Sequence, residues 1–382
     1  MDSQYRVLHL VSNSRWTGVA EPAASVAGWQ QRAGWTVWVA CIWGRSMEEQ
    51  LRARDLPLAR ELEIPRRINP LATLRDVQRL RCFIRDNHVQ VVHCHQLHEH
   101  WLAALALRRW KSDTPRPLLV RTVHRYEPMR KDPWHRWLFS RATDLVITVS
   151  SEQRDFIRAA YPDMGEKTQT IFGGVDPDRF QPTDAGRAQV RADMGETEGA
   201  IVGGIVAHLG YNRGHRWLLE SAPPALAAAP RGVIWIVGKG ELKKELRQRC
   251  HEDRFMGRLV MAGYRSDDLP ESYSAMDFAM LLGLGSEGSA RAALEAMASA
   301  RPVIGVRKGA LIDTITDGID GFLIEENDTA ALTDRLTKLL GSRELCEKMG
   351  VAAREKILQN FTEQRRFERT TMAYQHAWNQ RG

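Results

Sequence analysis

The chain predicts an α/β protein of two successive domains, each an open parallel sheet with helices against it. Three observations predict it. Strand-like apolar runs alternate with amphipathic helical stretches along most of the chain, which is the pattern of βα units. The alternation is interrupted once, by a polar, charged stretch reaching about Gly199. A length of 382 residues is enough for two or three domains at roughly 100–200 residues each, every one able to close an apolar core.

In the first series, strands are expected at 6–11, 36–41, 89–95, 118–124, 145–149 and 169–172, with amphipathic helices such as 21–33 and 71–87 between them. The segment from Gly173 to Pro182, rich in glycine, proline and aspartate, marks a domain boundary. The second series places strands at 200–206, 233–237, 259–262, 278–282, 302–305 and 321–324, and helices starting at Gly214, Glu241, Leu269, Ser289 and Ala330. Two such sheets imply a cleft between them, because open α/β sheets bind ligands beyond the carboxyl ends of their strands. A last helix at 362–378 carries Phe367, Thr371, Tyr374 and Trp378 at steps of four, three and four, a mostly apolar stripe that has to dock.

Composition narrows the function classes. With 43% hydrophobic and 26% charged residues, the balance is that of packed globular domains and excludes disordered, collagenous and fibrous chains. No apolar run approaches the ~18 residues that cross a bilayer. The start of the chain lacks the basic, apolar and small-residue series of a secretory leader, so a cytoplasmic protein is expected. Five scattered cysteines, Cys41, Cys82, Cys94, Cys250 and Cys346, form no Cys-x-x-Cys pair and suit a reducing compartment. The formal charge of +7 lies wholly in residues 1–180, which hold 27 Lys and Arg against 20 Asp and Glu. It is steepest at 101–150, where basic residues interleave with tryptophan and phenylalanine. There Trp134, Trp137 and Leu138 are expected to meet lipid while Arg130, Lys131, Arg136 and Arg141 lie among anionic headgroups; a solvated helix face is the other reading.

The stretch from Leu281 to Ala300 is the most informative chemically. An apolar strand passes into a small-residue loop, and Ser289 is placed to cap the helix 290–300. The unpaired N–H groups at that helix start suit a diphosphate. Glu287 falls in the loop just before it, and Glu295 about two turns into the helix, on the order of 9 Å further along the axis. One carboxylate is placed for a sugar hydroxyl near the phosphate, the other for a ribose. The group His93, His95, His98 and His100 with Glu99 resembles a metal site only in composition; the expectation is hydrogen-bonded cleft histidines, with His95 lining an acceptor cleft and no metal bound. Gly238-Lys-Gly240 is a partial glycine-rich signal.

With these residues in view, the chain resembles the retaining GT-B glycosyltransferases of the group 1 class, glycosyltransferase family four, of cell-envelope or lipopolysaccharide type. The resemblance rests on Ser286-Glu-Gly288, Leu294-Glu-Ala-Met-Ala298, Arg301-Pro-Val-Ile304 and Asp317-Gly-Ile-Asp-Gly-Phe-Leu-Ile324. It extends to Trp16-Thr-Gly-Val-Ala-Glu-Pro22, Val91-Val-His-Cys-His95, Arg121-Thr-Val-His124, Asp144-Leu-Val-Ile-Thr-Val-Ser150, Gly173-Gly-Val-Asp-Pro-Asp-Arg-Phe180, Arg213-Gly-His215 and Val237-Gly-Lys-Gly-Glu-Leu242.

The resemblance implies two Rossmann-like domains facing across a cleft: an acceptor domain 1–180, a nucleotide-sugar domain 195–360, and a C-terminal helix 361–382 returning to the first. It implies sugar transfer from a nucleotide diphosphate-sugar with retention and without a metal or other cofactor. It further implies that Glu287 contacts the donor sugar, Glu295 the ribose and Arg213 the departing diphosphate. Gly18 would admit the diphosphate to the first loop, His124 would face the sugar from the acceptor domain, and 263–269 would offer backbone groups to the base. Gly238, Gly288, Ser289 and Ala290 complete the donor side; Trp16, His95 and Arg121 form the acceptor side. The chain departs from the family pattern in having His208 where many members have arginine, Arg213 for lysine, Thr17-Gly18 for a glycine pair, and Gly288-Ser289-Ala290 for Gly-Phe-Gly.

The function expected is therefore transfer of one sugar to an anionic, lipid-linked or cell-envelope glycan, in the cytoplasm or at the inner face of its membrane, with no nucleic acid partner. The alternatives are a nucleotide-sugar epimerase on the same fold and a non-catalytic binder of polyanions or membrane surfaces.

Overall fold

The computed structural model describes residues 4–16, 20–64, 70–124, 130, 132–195, 199–283 and 287–381, with backbone only for 70–72 and 287–289. The chain forms two compact units, Met1–Gly173 with Glu363–Gly382, and Gly174–Thr362.

The first unit holds β1 (Arg6–Val11), β2 (Thr36–Cys41), β3 (Val91–Cys94), β4 (Leu118–Val123), β5 (Leu145–Thr148) and β6 (Thr168–Thr170). They pair in parallel in the order β2-β1-β3-β4-β5-β6. Helices cover both faces, so the strands are almost continuously apolar. Alternation along β1 directs Leu8 and Leu10 to a core built with Leu80, Phe83, Leu102 and Leu107, and Val7 and Val11 to a second core with Ala23, Ala27 and Tyr374.

Helix Glu363–Asn379 belongs to this unit. Its Tyr374 is fully buried edge-on to Tyr5, and Phe367 packs 5.6 Å, centroid to centroid, from Trp35. Each large side chain buried in this way contributes on the order of 1.5–3 kcal/mol. Past the helix, Arg381 donates to the carbonyls of Arg116 at 2.6 Å and Pro117 at 2.9 Å.

The second unit holds β7 (Ile201–Val206), β8 (Gly232–Val237), β9 (Leu259–Gly263), β10 (Phe278–Leu281), β11 (Val303–Val306) and β12 (Gly321–Ile324). These are also parallel, in the order β12-β11-β10-β7-β8-β9. A buried carboxylate at the amino ends of its central strands ties them to neighbouring helices. Asp277 accepts from Arg187 and Arg191 at 2.7 Å each, from the Val202 N–H at 2.7 Å and from Arg343 at 3.4 Å.

Every expected strand is present, with ends shifted by no more than two residues. The polar stretch before residue 200 contains a helix, Asp184–Asp193, whose Thr183 hydroxyl caps the Gly186 N–H. The helix after β10 begins at Glu287, so Ser289 falls inside its first turn instead of capping it. Among the described residues no helix is long and apolar enough to cross a membrane.

The basic, aromatic segment requires a correction. Helix starts at Pro133 and widens to a π-helix over Trp137–Ala142. Leu138 and Phe139 are buried in the first unit's core, and Trp137 stacks on Trp101 with Arg108 over its ring. Trp134 alone of the three expected lipid contacts is exposed, at 70%. Leu138, Phe139 and Trp137 face inward because they close the core beside helix Leu97–Leu107, so among the described residues Trp137 and Leu138 are not placed to meet lipid. Lys131 lies outside the described residues.

Candidate active site

In an open parallel sheet the connections leave a crevice where the strand order reverses. In the second unit that point lies between β7 and β10, and a cavity of about 150 Å³ occupies it, lined by Val206, Ala207, His208, Arg213, Leu281 and Gly283 among others. It is smaller than the roughly 300–1,000 Å³ of a complete small-molecule pocket, the size of part of a ligand such as its phosphates. Ala292 of helix Glu287–Ala298 also lines it, so that helix adjoins the cavity. The first four N–H groups of a helix lack internal partners, which together with the helix dipole favours an anion near the start at Glu287–Ala290.

The loops around the cavity interlock through glycine. Gly214 begins helix His215–Ala228 at φ +76°, and a Cβ there would lie 2.3 Å from Leu282 Cβ. Gly238 has φ +154°, and a Cβ on it would stand 1.9 Å from the Ala207 carbonyl oxygen. Close packing of the β8 and β7 loops therefore accounts for the glycine at 238. Gly238→Ala is expected to destabilise the protein by about 3 kcal/mol or more, as strained or overpacked positions do. Urea unfolding measures this; an unchanged midpoint would mean the two loops separate freely.

Arg213 is half-buried, with its Cδ against Gly283. His208 directs Nε2 to Glu241 Oε2 at 3.0 Å, an exposed pair at the cavity margin. His215 lies beneath the Arg213 loop, where burial pushes its pKa down to about 4. Glu295 is 6% exposed rather than a surface residue, and accepts from Arg291 at 2.9 Å and from the Tyr273 hydroxyl at 3.4 Å. A carboxylate has about four lone-pair sites, so these partners leave acceptor capacity. With the helix starting at Glu287, Glu295 is about 12 Å along the axis at 1.5 Å per residue. The side chains of Glu287, Gly288 and Ser289 are outside the described residues. After β9, the Gly263 carbonyl accepts from the Gly238 N–H at 2.8 Å, and exposed Tyr264 carries Lys239 Nζ 3.8 Å above its ring.

In the first unit the strand order reverses between β1 and β3. Buried Glu99 bridges their carboxyl ends, Oε1 accepting from the Gln96 N–H at 2.6 Å and the Ser12 N–H at 3.3 Å. The β1 loop continues through Trp16, whose ring lies under the Arg54 guanidinium at 4.4 Å; Gly18 is outside the described residues. Register places His9 of β1 beside His93 of β3. His95 and His124, each 2% exposed, are joined at 2.9 Å between Nδ1 and Nε2. Arg121 is corrected from an acceptor-facing position: it is fully buried, on the β4 face that alternates with Thr122, close to Cys94 and His100.

The histidine group also differs from its sequence outline. His100 hydrogen-bonds Thr143 at 2.7 Å and His98 lies near Asp76, so neither joins His93 and His95. His9 joins them instead, with one ring nitrogen from each of the three within 4.8 Å of the others. That spacing admits a cation. The nitrogens, however, are engaged with each other and with Gln30, Thr122, Tyr374 and His124, and Arg121 and Arg366 add positive charge nearby. Burial holds His9 down to about 4 and His93 and His95 well below the usual imidazole value.

Comparison with known proteins settles the family. Residues 200–342 match the family described as glycosyl transferases group 1, and residues 16–179 match glycosyltransferase family 4. EpsD of Bacillus subtilis, named as a glycosyltransferase, is 28% identical over 357 residues, 91% of this chain and 90% of its own. The chain belongs to the group 1, family 4 glycosyltransferases.

A further relative in Escherichia coli, named UDP-Gal:alpha-D-GlcNAc-diphosphoundecaprenol alpha-1,3-galactosyltransferase, is 25% identical over 340 residues, 86% of this chain and 84% of its own. The structure of Anabaena Alr3699/HepE in complex with UDP matches with a TM-score of 0.81 at 18% identity, over 97% of this chain and all of that one. This glycosyltransferase thus has the GT-B fold of two Rossmann-like parallel-sheet units. Its relatives do not favour the epimerase or the non-catalytic binder. Within the second unit, the structure brings His208 and Arg213 to one cavity beside the helix that carries Glu287 and Glu295. Sequence reasoning missed His9 and Gln30 in the first unit, and named Glu99 only beside the histidine group. A histidine in the middle of the otherwise apolar Val7–Val11 run was the available signal.

Proposed function

We propose that this glycosyltransferase moves a sugar from a nucleoside diphosphate-sugar, bound by the second unit, to an anionic lipid-linked or cell-envelope glycan bound by the first. The transfer retains anomeric configuration and needs no metal. The observation that carries the donor half is the cavity where the strand order reverses between β7 and β10, which has Arg213 in its wall and the helix that starts at Glu287 beside it. As the bond from C1 to the phosphate oxygen breaks, the acceptor oxygen bonds to C1 and its hydroxyl proton passes to the departing phosphate oxygen; on the way negative charge grows on the diphosphate and positive charge at C1. Arg213 and the helix N–H groups oppose the first, and Glu287 the second; groups fixed before the reaction stabilise such charges most. Glu295 takes the ribose hydroxyls, and His124 meets the sugar from the acceptor side.

The acceptor half rests on two supports: the basic excess of residues 1–180 and the lipid diphosphate acceptor named for the Escherichia coli relative. A cytoplasmic enzyme working on acceptors at the inner membrane face fits both. UDP in the Anabaena structure makes uridine diphosphate the first donor nucleotide to test.

The test has two parts. A thermal-shift panel of nucleoside diphosphates, nucleotide sugars and free pyrophosphate is expected to raise the melting temperature, since saturating ligand at 100 times its Kd stabilises by about 2.7 kcal/mol. Absence of any shift would remove the donor site. Glu287→Gln is then expected to lower transfer by about 10²–10³-fold, as loss of one charge-stabilising group does, while the donor-induced shift persists. Transfer at the wild-type rate would remove Glu287 from its role, and a rate abolished by chelator would show a metal to be required.

A further inference from the structure

Four buried side chains on one face of the first sheet form a single file of hydrogen bonds. Gln30 Oε1 is 2.7 Å from His9 Nε2, His9 Nδ1 is 3.0 Å from His95 Nε2, and His95 Nδ1 is 2.9 Å from His124 Nε2. Each histidine step crosses to the next strand, from β1 through the end of β3 to the end of β4, approaching the carboxyl edge. We infer that Gln30 sets the tautomer of His124 through His9 and His95, so that a neutral His124 carries its proton on Nε2 and none on Nδ1.

The argument is one of counting protons. A nitrogen-to-nitrogen hydrogen bond needs one N–H and one lone pair, and a neutral imidazole has one of each. The Gln30 carbonyl oxygen can only accept. His9 therefore donates from Nε2 and accepts at Nδ1, His95 does the same, and His124 has to donate from Nε2. The count holds while the inner rings are neutral. Burial, as the largest cause, keeps His9 and His95 neutral, and the charged group acting on both is the cationic Arg366.

A second pair of bonds lies beside this file: Tyr374 Oη is 2.6 Å from His93 Nδ1, and His93 Nε2 is 2.6 Å from Thr122 Oγ1. Turning the Gln30 amide over would reverse every proton of the file. The file thus has two self-consistent arrangements, and the orientation of Gln30 selects the one with the proton on His124 Nε2. A sugar hydroxyl meeting Nδ1 of that ring would have to donate its proton to it. This consequence rests on the proposed role of His124; the proton arrangement itself does not. His9, Gln30 and His95 are positioning residues.

The test is a long-range ¹H–¹⁵N correlation spectrum of the full chain labelled with ¹⁵N-histidine near neutral pH, assigned by single histidine replacements. His9, His95 and His124 are each expected to show a protonated Nε2 and a bare Nδ1. Gln30→Leu removes the anchor and is expected to give mixed tautomers at His124, with kcat down about tenfold, the equivalent of one hydrogen bond of about 1.4 kcal/mol, and a donor KM little changed. A wild-type His124 protonated on Nδ1 would overturn the inference, as would tautomers unchanged in Gln30→Leu. Joint movement of the His9, His93 and His95 signals on adding zinc would replace it with a cation site. Should Gln30→Leu not fold, the wild-type spectrum alone decides. Enzyme inactive on every donor tried still reports its tautomers, so this result and the failure of the proposed reaction remain separable.

Discussion

Replacing Arg213 with alanine is expected to cut turnover by about 10²–10³-fold, the usual loss when a fixed group opposing transition-state charge is removed. The residue lines the cavity at the second unit's strand reversal, and its aliphatic stem lies on Gly283. A charge held there acts more on a departing diphosphate than on the intact donor, because the leaving group becomes more anionic as the bond breaks. The loss should therefore fall more on kcat than on the donor KM. Arg213→Lys should recover part of the rate: it keeps the charge but loses the planar fork that grips two oxygens. Steady-state kinetics on both variants, with melting temperatures as a folding control, measure the effect. Turnover of Arg213→Ala within threefold of wild type would place the leaving group elsewhere.

The largest expected stability change is at Asp277. Its carboxylate is 3% exposed and joins Arg187 and Arg191 of helix Asp184–Asp193, Arg343 of helix Arg343–Asn360 and the β7 backbone. Asp277→Ala leaves three guanidinium groups around an apolar gap, and breaking a buried pair from one side costs about 3–5 kcal/mol. Asp277→Asn keeps some hydrogen bonds and should cost less. The pH dependence has a definite sign. Burial works to raise the Asp277 pKa, but Arg187, Arg191 and the Val202 N–H outweigh it, and the net shift is downward. Folding therefore gains from Asp277 fully above the unfolded value of about 3.9, and loses that gain as pH falls through the lower folded value. Urea unfolding of wild type and Asp277→Ala across acid pH should show the difference between them shrinking in that window. A constant difference would mean the carboxylate contributes nothing through its charge.

Much of this molecule is legible in one dimension. Buried parallel strands have to be apolar runs, and the crossover between two of them has to be long, so all twelve strands stand out in order. The small-residue loop before the Ala-rich helix, Glu287 with Glu295, and Arg213-Gly-His215 are local patterns that survive as motifs. Other features depend on what lies opposite. Trp137 and Leu138 carry the composition of an interfacial helix, yet they face Trp101 and the core because neighbouring elements leave that space to fill. Arg121 is interior for a related reason: β4 is a central strand, covered on both faces.

By itself the sequence determined the strand and helix order, the break between two sheets, the family, and the side chains proposed for donor chemistry. Tertiary structure alone decided that β7 meets β10, opening a cavity beside Arg213, and that β1 meets β3, setting His9 against His93. It also decided that Gln30, His95 and His124, far apart along the chain, share one file of hydrogen bonds through His9. Strand order and register cause this. Parallel neighbours are brought together by crossovers, and which nitrogen then lies within 3.0 Å of another is a property of the assembled sheet that no local pattern encodes.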